Sequence, residues 1–320
     1  MDTTALDIHN ISSNIDHHFQ ILPATTTYTV VSTIVWGLNT IMVIGLNAVC
    51  LVVFHKTTRI EEVTKVFLMS LTSSDLLLGV CYGIPTVVTS AINTWPFGIP
   101  ICYIQAFLGF LLTISGQMSL FVVNVERFIA IAFPLRHASF ITVRRAQWAT
   151  VFLWLFAFLM SVANAFGAHW TVFFTSVMNH CVYYSYSDKI VENVLFYLPF
   201  MIGIMFPYLV TIILYGKILS IARQHARQIA AMPTFQEGRP DGKVDTKAAT
   251  TFFLVISAYS LAVVPILVVI TETLEIPNYG WLFLRVLWFS VSWIDAVIYL
   301  GRNRQFRDEL KRIVFNNNMN

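Results

Sequence analysis

Seven long apolar runs set the limits on what this chain can fold into. They cover about Tyr28–Phe54, Val66–Ile92, Ile101–Phe133, Ala146–Ala168, Val191–Ile221, Ala248–Thr271 and Trp281–Leu300. Each is long enough to cross a hydrocarbon layer roughly 30 Å thick. Backbone in lipid must satisfy its hydrogen bonds within its own segment, so continuous runs of this length predict helices. Strands of a membrane barrel would instead show short alternating stretches. Composition closes the other route, a large soluble core. Of 320 residues, 57% are hydrophobic and only 12% are charged, against about 25% charged in an average soluble domain. Too little charge is left to coat a soluble surface. The chain reads as an all-α membrane protein, a seven-transmembrane helix bundle over residues 28–301, with an N-terminal tail at 1–27 and an amphipathic helix and tail at 302–320.

Basic residues orient the bundle. Lys56, Arg59, Lys65, Arg127, Arg136, Arg144, Arg145 and most others fall in connections on one side, whereas Lys189 stands in a connection on the other. The positive-inside rule makes the first side cytoplasmic, which places the N-terminus outside and the C-terminus inside. The tail agrees, with Asp2, Asp7 and Asp16 and neither Lys nor Arg. It shows no charged start followed by an apolar core, so no cleavable signal peptide is expected. Asn10-Ile11-Ser12 is an acceptor triplet for glycosylation. Cys50 and Cys81 lie inside apolar runs, where small thiols are at home. Cys102 and Cys181 face the oxidising side together and are expected to form a disulfide.

Asp75 and Asp295 are the chemically expensive residues, since a carboxylate at mid-bilayer costs roughly 2.5–3.5 kcal/mol. Asn47 and Ser292 are candidate partners, Ser292 lying one helical turn before Asp295. A transporter or channel would also bury acids, but it is expected to show repeats, broken helices or a lined polar path. No internal repeat is visible. Metal-ligand spacings, a nucleophile elbow and a phosphate-cradling glycine loop are also missing, so an enzyme is not expected.

Marks spread along the runs carry a more specific reading. They are Asn47 in GLNAV, Asp75 in SLTSSDLLLG, Cys102, then ERF at Glu126–Phe128 followed by PLRH. Trp154, Pro207 with Tyr215, Pro265 and DAVIY at Asp295–Tyr299 complete the series. In this order and spacing the chain resembles the rhodopsin-like G-protein-coupled receptors, from about Tyr28 to Phe315. The resemblance implies a plasma-membrane receptor that binds an extracellular ligand and activates a heterotrimeric G protein. Glu126 and Arg127 would form its switch, with the arginine also held by Asp245 at the inner end of the sixth helix while the receptor is off. Pro134 and Leu135 would contact the G protein from the second inner loop, and Tyr215 and Tyr299 would draw together on activation. Asn47, Asp75, Ser292 and Asp295 would form a polar network that holds a sodium ion in the family. Gly116 replaces a usual Ser and Val291 a common Asn, which weighs against sodium here.

Two departures matter. Val263 stands where the sixth helix usually carries Trp, and Ala296 where the seventh carries Pro, so the resemblance implies an altered trigger or a non-signalling relative. The implied pocket takes Gly109, Phe110, Thr113, Phe200 and Gly203 from the third and fifth helices. Ile266, Leu267 and Ile270 join it from the sixth, and Trp281, Arg285 and Phe289 from the seventh. Gly109 lacks the carboxylate that amine receptors place there, and no Lys lies between Asn278 and Leu300 to hold retinal. Trp281, Arg285 and Phe289 share one helical face. A guanidinium there fits an acidic, partly hydrophobic small molecule; it equally fits snorkelling outward, or pairing with Glu272 or Glu275. After Leu300, Phe306, Leu310 and Ile313 fall at helical spacing among basic residues, an interfacial helix with no Cys after it for a palmitoyl anchor.

Overall fold

The computed structural model describes residues 25–58, 60–133, 135–168, 171–175, 179–183, 190–230, 257, 260, 261, 263, 264, 277–302 and 304–316. Among the described residues six helices are long and apolar enough to cross a membrane. They are Thr26–Lys56, Glu62–Ile92, Gly98–Ala132, Val143–Gly167, Val194–Ile221 and Asn278–Ile298, the first to fifth and the seventh spans. The sixth is described at Ser257, Ser260, Leu261, Val263 and Val264, each in helical conformation.

The helices overrun the apolar stretches because polar caps carry them into the interface. Thr25 Oγ1 accepts the Tyr28 N–H at 3.2 Å and Thr142 Oγ1 the Arg145 N–H at 3.4 Å, satisfying donors that a helix start leaves orphaned. Two spans contain a wider π turn, Gly79–Gly83 in the second and Met201–Met205 in the fifth. Hydrophobic patterning does not report such a turn.

Each span sorts its faces by period. In the first, Tyr28, Ser32, Trp36, Thr40, Val43, Asn47, Cys50 and Phe54 form one buried stripe. The fourth turns Trp148, Phe152, Leu155 and Leu159 outward and Leu153, Ala157, Ser161 and Asn164 inward. Apolar outside and small or polar inside is the arrangement a lipid solvent demands. Trp154 donates to Ser70 at 3.0 Å, and Ser70 bonds Ser119 at 2.8 Å, tying the fourth, second and third spans.

Val263 is buried in a core with Ile114, Met118, Tyr208 and Val291, so an aliphatic cluster occupies the level of the missing Trp. The seventh helix runs unbroken through Ala296, which packs with Phe54, Phe67 and Val123. At the end of the bundle where the third span begins, β1 (Val172–Thr175) and β2 (His180–Tyr183) form an antiparallel hairpin with Phe174 opposite Cys181. Cys181 is disulfide-bonded to Cys102 at the start of the third span. On the inner side, Phe306 of the helix Arg304–Asn316 is buried against Phe54, ring centroids 5.2 Å apart, with Leu310 and Ile313 beside it.

Candidate functional site

At the inner end of the third span the Glu126 side chain is 1% exposed, while that of Arg127 is 35% exposed. Arg127 Nε lies 3.3 Å from Glu126 Oε2, and its Nη2 donates to Thr64 Oγ1 at 3.1 Å. Thr64 in turn donates to the same carboxylate oxygen at 3.3 Å. The other oxygen, Oε1, faces His137 Nε2 at 3.1 Å, and His137 Nδ1 lies 3.7 Å from Glu61. A buried carboxylate needs such company, because removing the partners of a buried charge is strongly destabilising. Side-chain ligand atoms of Glu61, Glu126 and His137 come within 4.8 Å of one another. The two ring nitrogens face different carboxylates, which is a bridge between acids rather than convergence on one ion.

Thr64, Glu61 and His137 are absent from the sequence-based switch. Only His137 carried a trace, as the last residue of PLRH, and the loop that folds it back was not readable. Leu135 is 98% exposed in the second inner loop. Tyr215 is half-buried on the fifth span. Pro134, Asp245 and the Tyr299 side chain lie outside the described residues.

Midway through the bundle, the second, third and seventh spans enclose a cavity of about 50 Å³ lined by Asp75, Gln117, Ser292 and Asp295. The Ser292 hydroxyl faces the Asp75 carboxylate across it. Asn47 donates to the Ser292 carbonyl at 3.1 Å and to the Val43 carbonyl at 2.9 Å. These contacts bring the four expected residues together and add Gln117. Asp295 Oδ1 and Gln117 Oε1 are buried with no hydrogen-bond partner among the described residues. Oxygen-only donors around a small cavity suit water or a hard cation. A Cβ on Gly116 would stand 3.2 Å from Ser74 Oγ and 3.6 Å from Asp75 Oδ1, so this position adjoins the carboxylate without offering it a hydroxyl.

Toward the outer side, Tyr82 takes the place of a side chain at Gly109: a Cβ there would come 2.8 Å from its ring. The Tyr82 ring lies 5.0 Å from His180 and 6.0 Å from Phe289, and Trp36 closes on Phe289 at 5.3 Å. Arg285 turns inward beneath the hairpin. Its Nη1 donates to His180 Nε2 at 3.1 Å, and it also reaches Tyr82. Gln105 Oε1 accepts the Cys181 N–H at 2.9 Å, and its amide donates to the Tyr82 carbonyl and to Thr86, each at 3.3 Å.

The other pocket candidates divide. Phe110 and Phe200 flank the core cluster of Ile114, and a Cβ on Gly203 would meet Ile114 at 2.9 Å. Thr113 donates to the Gly109 carbonyl at 2.7 Å and borders the mid-membrane cavity. Trp281 is half-buried. Ile266, Leu267, Ile270, Glu272, Glu275 and Asn10 lie outside the described residues. Trp36, Tyr82, Gln105 and His180 carry no signal in the sequence: a ring in an apolar run reads only as hydrophobic, and the contacts of Gln105 and His180 depend on how the hairpin folds back.

A family model described as 7 transmembrane receptor (rhodopsin family) matches residues 46–299. The chain is 28% identical over 304 residues to the G-protein coupled receptor 161 of Xenopus tropicalis, covering 85% of this chain and 58% of that protein. It is 23% identical over 296 residues to the adenosine receptor A2a of Homo sapiens, covering 88% and 71%. The chain spans about half the length of the receptor 161 proteins it matches, 47% for that of Mus musculus. Among solved structures, squid rhodopsin superposes with a TM-score of 0.79 at 19% identity, covering 93% of this chain and 88% of that one. At that identity the likeness is one of fold, a seven-helix bundle.

Proposed function

The chain belongs to the rhodopsin family of seven-transmembrane, G-protein-coupled receptors, and on that premise we propose that it binds an extracellular ligand and activates a heterotrimeric G protein from the plasma membrane, its N-terminus outside. The arrangement of Arg127 between Glu126 and Thr64 carries this reading. An arginine held by contacts that exist in one state only is a bistable element, and a ligand that prefers the other state shifts its population. Asp245 supplies a further restraint on the off state from the sixth helix. Release of Arg127, with the exposed Leu135 and its sequence neighbour Pro134 in the loop that follows, forms the surface that the G protein engages.

The ligand site lies under the hairpin, where Arg285 supplies a cation among Trp36, Tyr82 and Phe289. Tyr82 fills the place of an ammonium-binding acid, so the ligand is not an amine. An acidic, partly hydrophobic small molecule fits that mixture. In the cavity below, Asp75, Asp295, Ser292 and Gln117 would be the donors for a sodium ion if one binds.

The test is a ligand panel read by several G-protein sensors in cells, with wild type, Arg127→Ala and Arg285 variants at matched surface expression. Arg127→Ala is expected to abolish coupling. Against any agonist found, Arg285→Ala should lose potency strongly and Arg285→Lys partly, since Lys keeps the charge but not the fork. Equal potency across the three would remove Arg285 from the ligand site. A wild type with no signal that depends on Arg127 would make the chain a non-signalling member of the family.

A further inference from the structure

The Arg285–His180 contact has a chemical consequence. A guanidinium is donor-only, so the nitrogen facing it must accept. His180 Nε2 is therefore unprotonated, and the imidazole is neutral with its proton on Nδ1. The residue is 1% exposed, enclosed by the rings of Trp36 and Tyr82. Its neighbour Cys181 is bound to the third span twice, by the disulfide and by Gln105. The Arg285 contact thus latches a hairpin anchored on the third span to the seventh.

We propose that His180 is an extracellular proton-binding site: protonation of Nε2 breaks the latch to Arg285, frees the hairpin from the seventh span and raises signalling. The proposal rests on the receptor reading above for its orientation and its output. A proton on Nε2 removes the acceptor and sets an imidazolium against a guanidinium in a nearly dry site, so the charged ring cannot stay where it is. The titratable groups set against His180 among the described residues are Tyr82 of the second span and Arg285 of the seventh; its own strand adds Tyr183. The first span contributes Trp36 and the third Gln105 beside it, neither of which titrates.

A second feature makes the closed hairpin easy to release. Asn179, directly before His180, has a φ of 60°, and both polar atoms of its buried side chain lack a partner among the described residues. Each such atom gains hydrogen bonds once it reaches water. The direction of the response follows from the other end of the molecule. The same structure holds Arg127 against Glu126 and Thr64, so the closed latch and the restrained arginine belong to one state. The latched state binds fewer protons, and acidification populates the other.

The full-length receptor is tested in cells, with G-protein signalling recorded as the outer medium is stepped from about pH 7.5 to about pH 5.5, across the histidine range. Wild type should gain signal several-fold. His180→Gln, which keeps an acceptor and cannot become a cation, should signal at one level throughout. Arg285→Ala should be raised at neutral pH and flat with acid. A variant with His9, His17, His18 and His169 all changed to Gln should keep the wild-type response. An equal acid response in His180→Gln, or a flat wild type that still shows Arg127-dependent signal, overturns the proposal and leaves the receptor reading intact.

A second measurement does not need a G protein. Nitrogen-15 histidine NMR of the receptor in lipid nanodiscs should show His180 as the Nδ1–H tautomer at neutral pH. Acid should convert it to the imidazolium, together with loss of amide protection in β2. A His180 ring already protonated on Nε2 at neutral pH ends the idea whatever the cells show.

Discussion

At the scale of one residue, Thr64 shows how little holds the switch. Its hydroxyl accepts from Arg127 and donates to Glu126, so it ties both charges to the second span. A hydrogen bond to a charged group is worth roughly 1.5–3 kcal/mol, and about 1.4 kcal/mol is tenfold in a population. Thr64→Val keeps the shape and removes the hydroxyl, so basal G-protein signalling at equal surface expression should rise by about tenfold or more. Flat basal signalling would mean that Thr64 serves the active state equally. Gly109 makes the complementary case for volume. Gly109→Ala drives a methyl to 2.8 Å from the Tyr82 ring, and overpacking costs typically about 1–3 kcal/mol. Thermal stability of the purified receptor should fall, and Tyr82→Ala in the same chain should recover much of it. A single variant as stable as wild type would show that the ring moves aside freely. Neither relation was visible in the sequence. Glu126 and Arg127 announced themselves as charges at the edge of an apolar run, but Thr64 lies just before one and Tyr82 inside one, where a hydroxyl or a ring carries no periodic signal.

At the scale of elements, the spans were legible because lipid imposes a length and a period that the residues must obey. Buried positions of the first helix recur every three or four residues, as an inward stripe requires. What stayed hidden was set by contacts between helices. The π turns at Gly79–Gly83 and Met201–Met205 leave hydropathy unchanged, and the hairpin Val172–Tyr183 depends on pairing across a loop. Gly167 tests the closest of these approaches. A Cβ there would stand 2.4 Å from the Phe196 backbone nitrogen, and backbone cannot rotate out of the way. Gly167→Ala is expected to part the fourth and fifth spans and reduce folded, surface-expressed receptor severely. Gly37→Ala and Gly45→Ala, where nothing lies within 4 Å, should leave expression unchanged and gain slightly from helix propensity. If all three variants express alike, the fourth and fifth spans do not need that contact.

At the scale of the whole molecule, the proposed function requires that the ligand site and Arg127 be linked through the middle of the bundle. The mid-membrane cavity sits between them. Its residues come from the second, third and seventh spans, and Asn47 on the first donates to the Ser292 carbonyl on the seventh. Two carboxylates share this low-dielectric space, and Asp295 Oδ1 has no protein partner among the described residues. Two neighbouring carboxylates do not both stay ionised in such a space without a counter-charge, so a proton, water or a cation must serve them while the cavity keeps its shape. A change of state that closes the cavity must expel or neutralise what it holds, so the free energy stored there is exchanged between states. Asp75→Asn keeps the volume and removes one charge. It should raise the melting temperature by about 2–4 °C for each kcal/mol of relieved burial, and blunt both basal and maximal signalling. Affinity at the outer pocket should change much less, because no residue of the Arg285–His180–Tyr82 group touches the substitution. The comparison is made on one purified preparation for stability and on matched cells for signalling. A dose–response identical to wild type, with unchanged melting, would reduce the network to packing and sever the proposed link between the two ends.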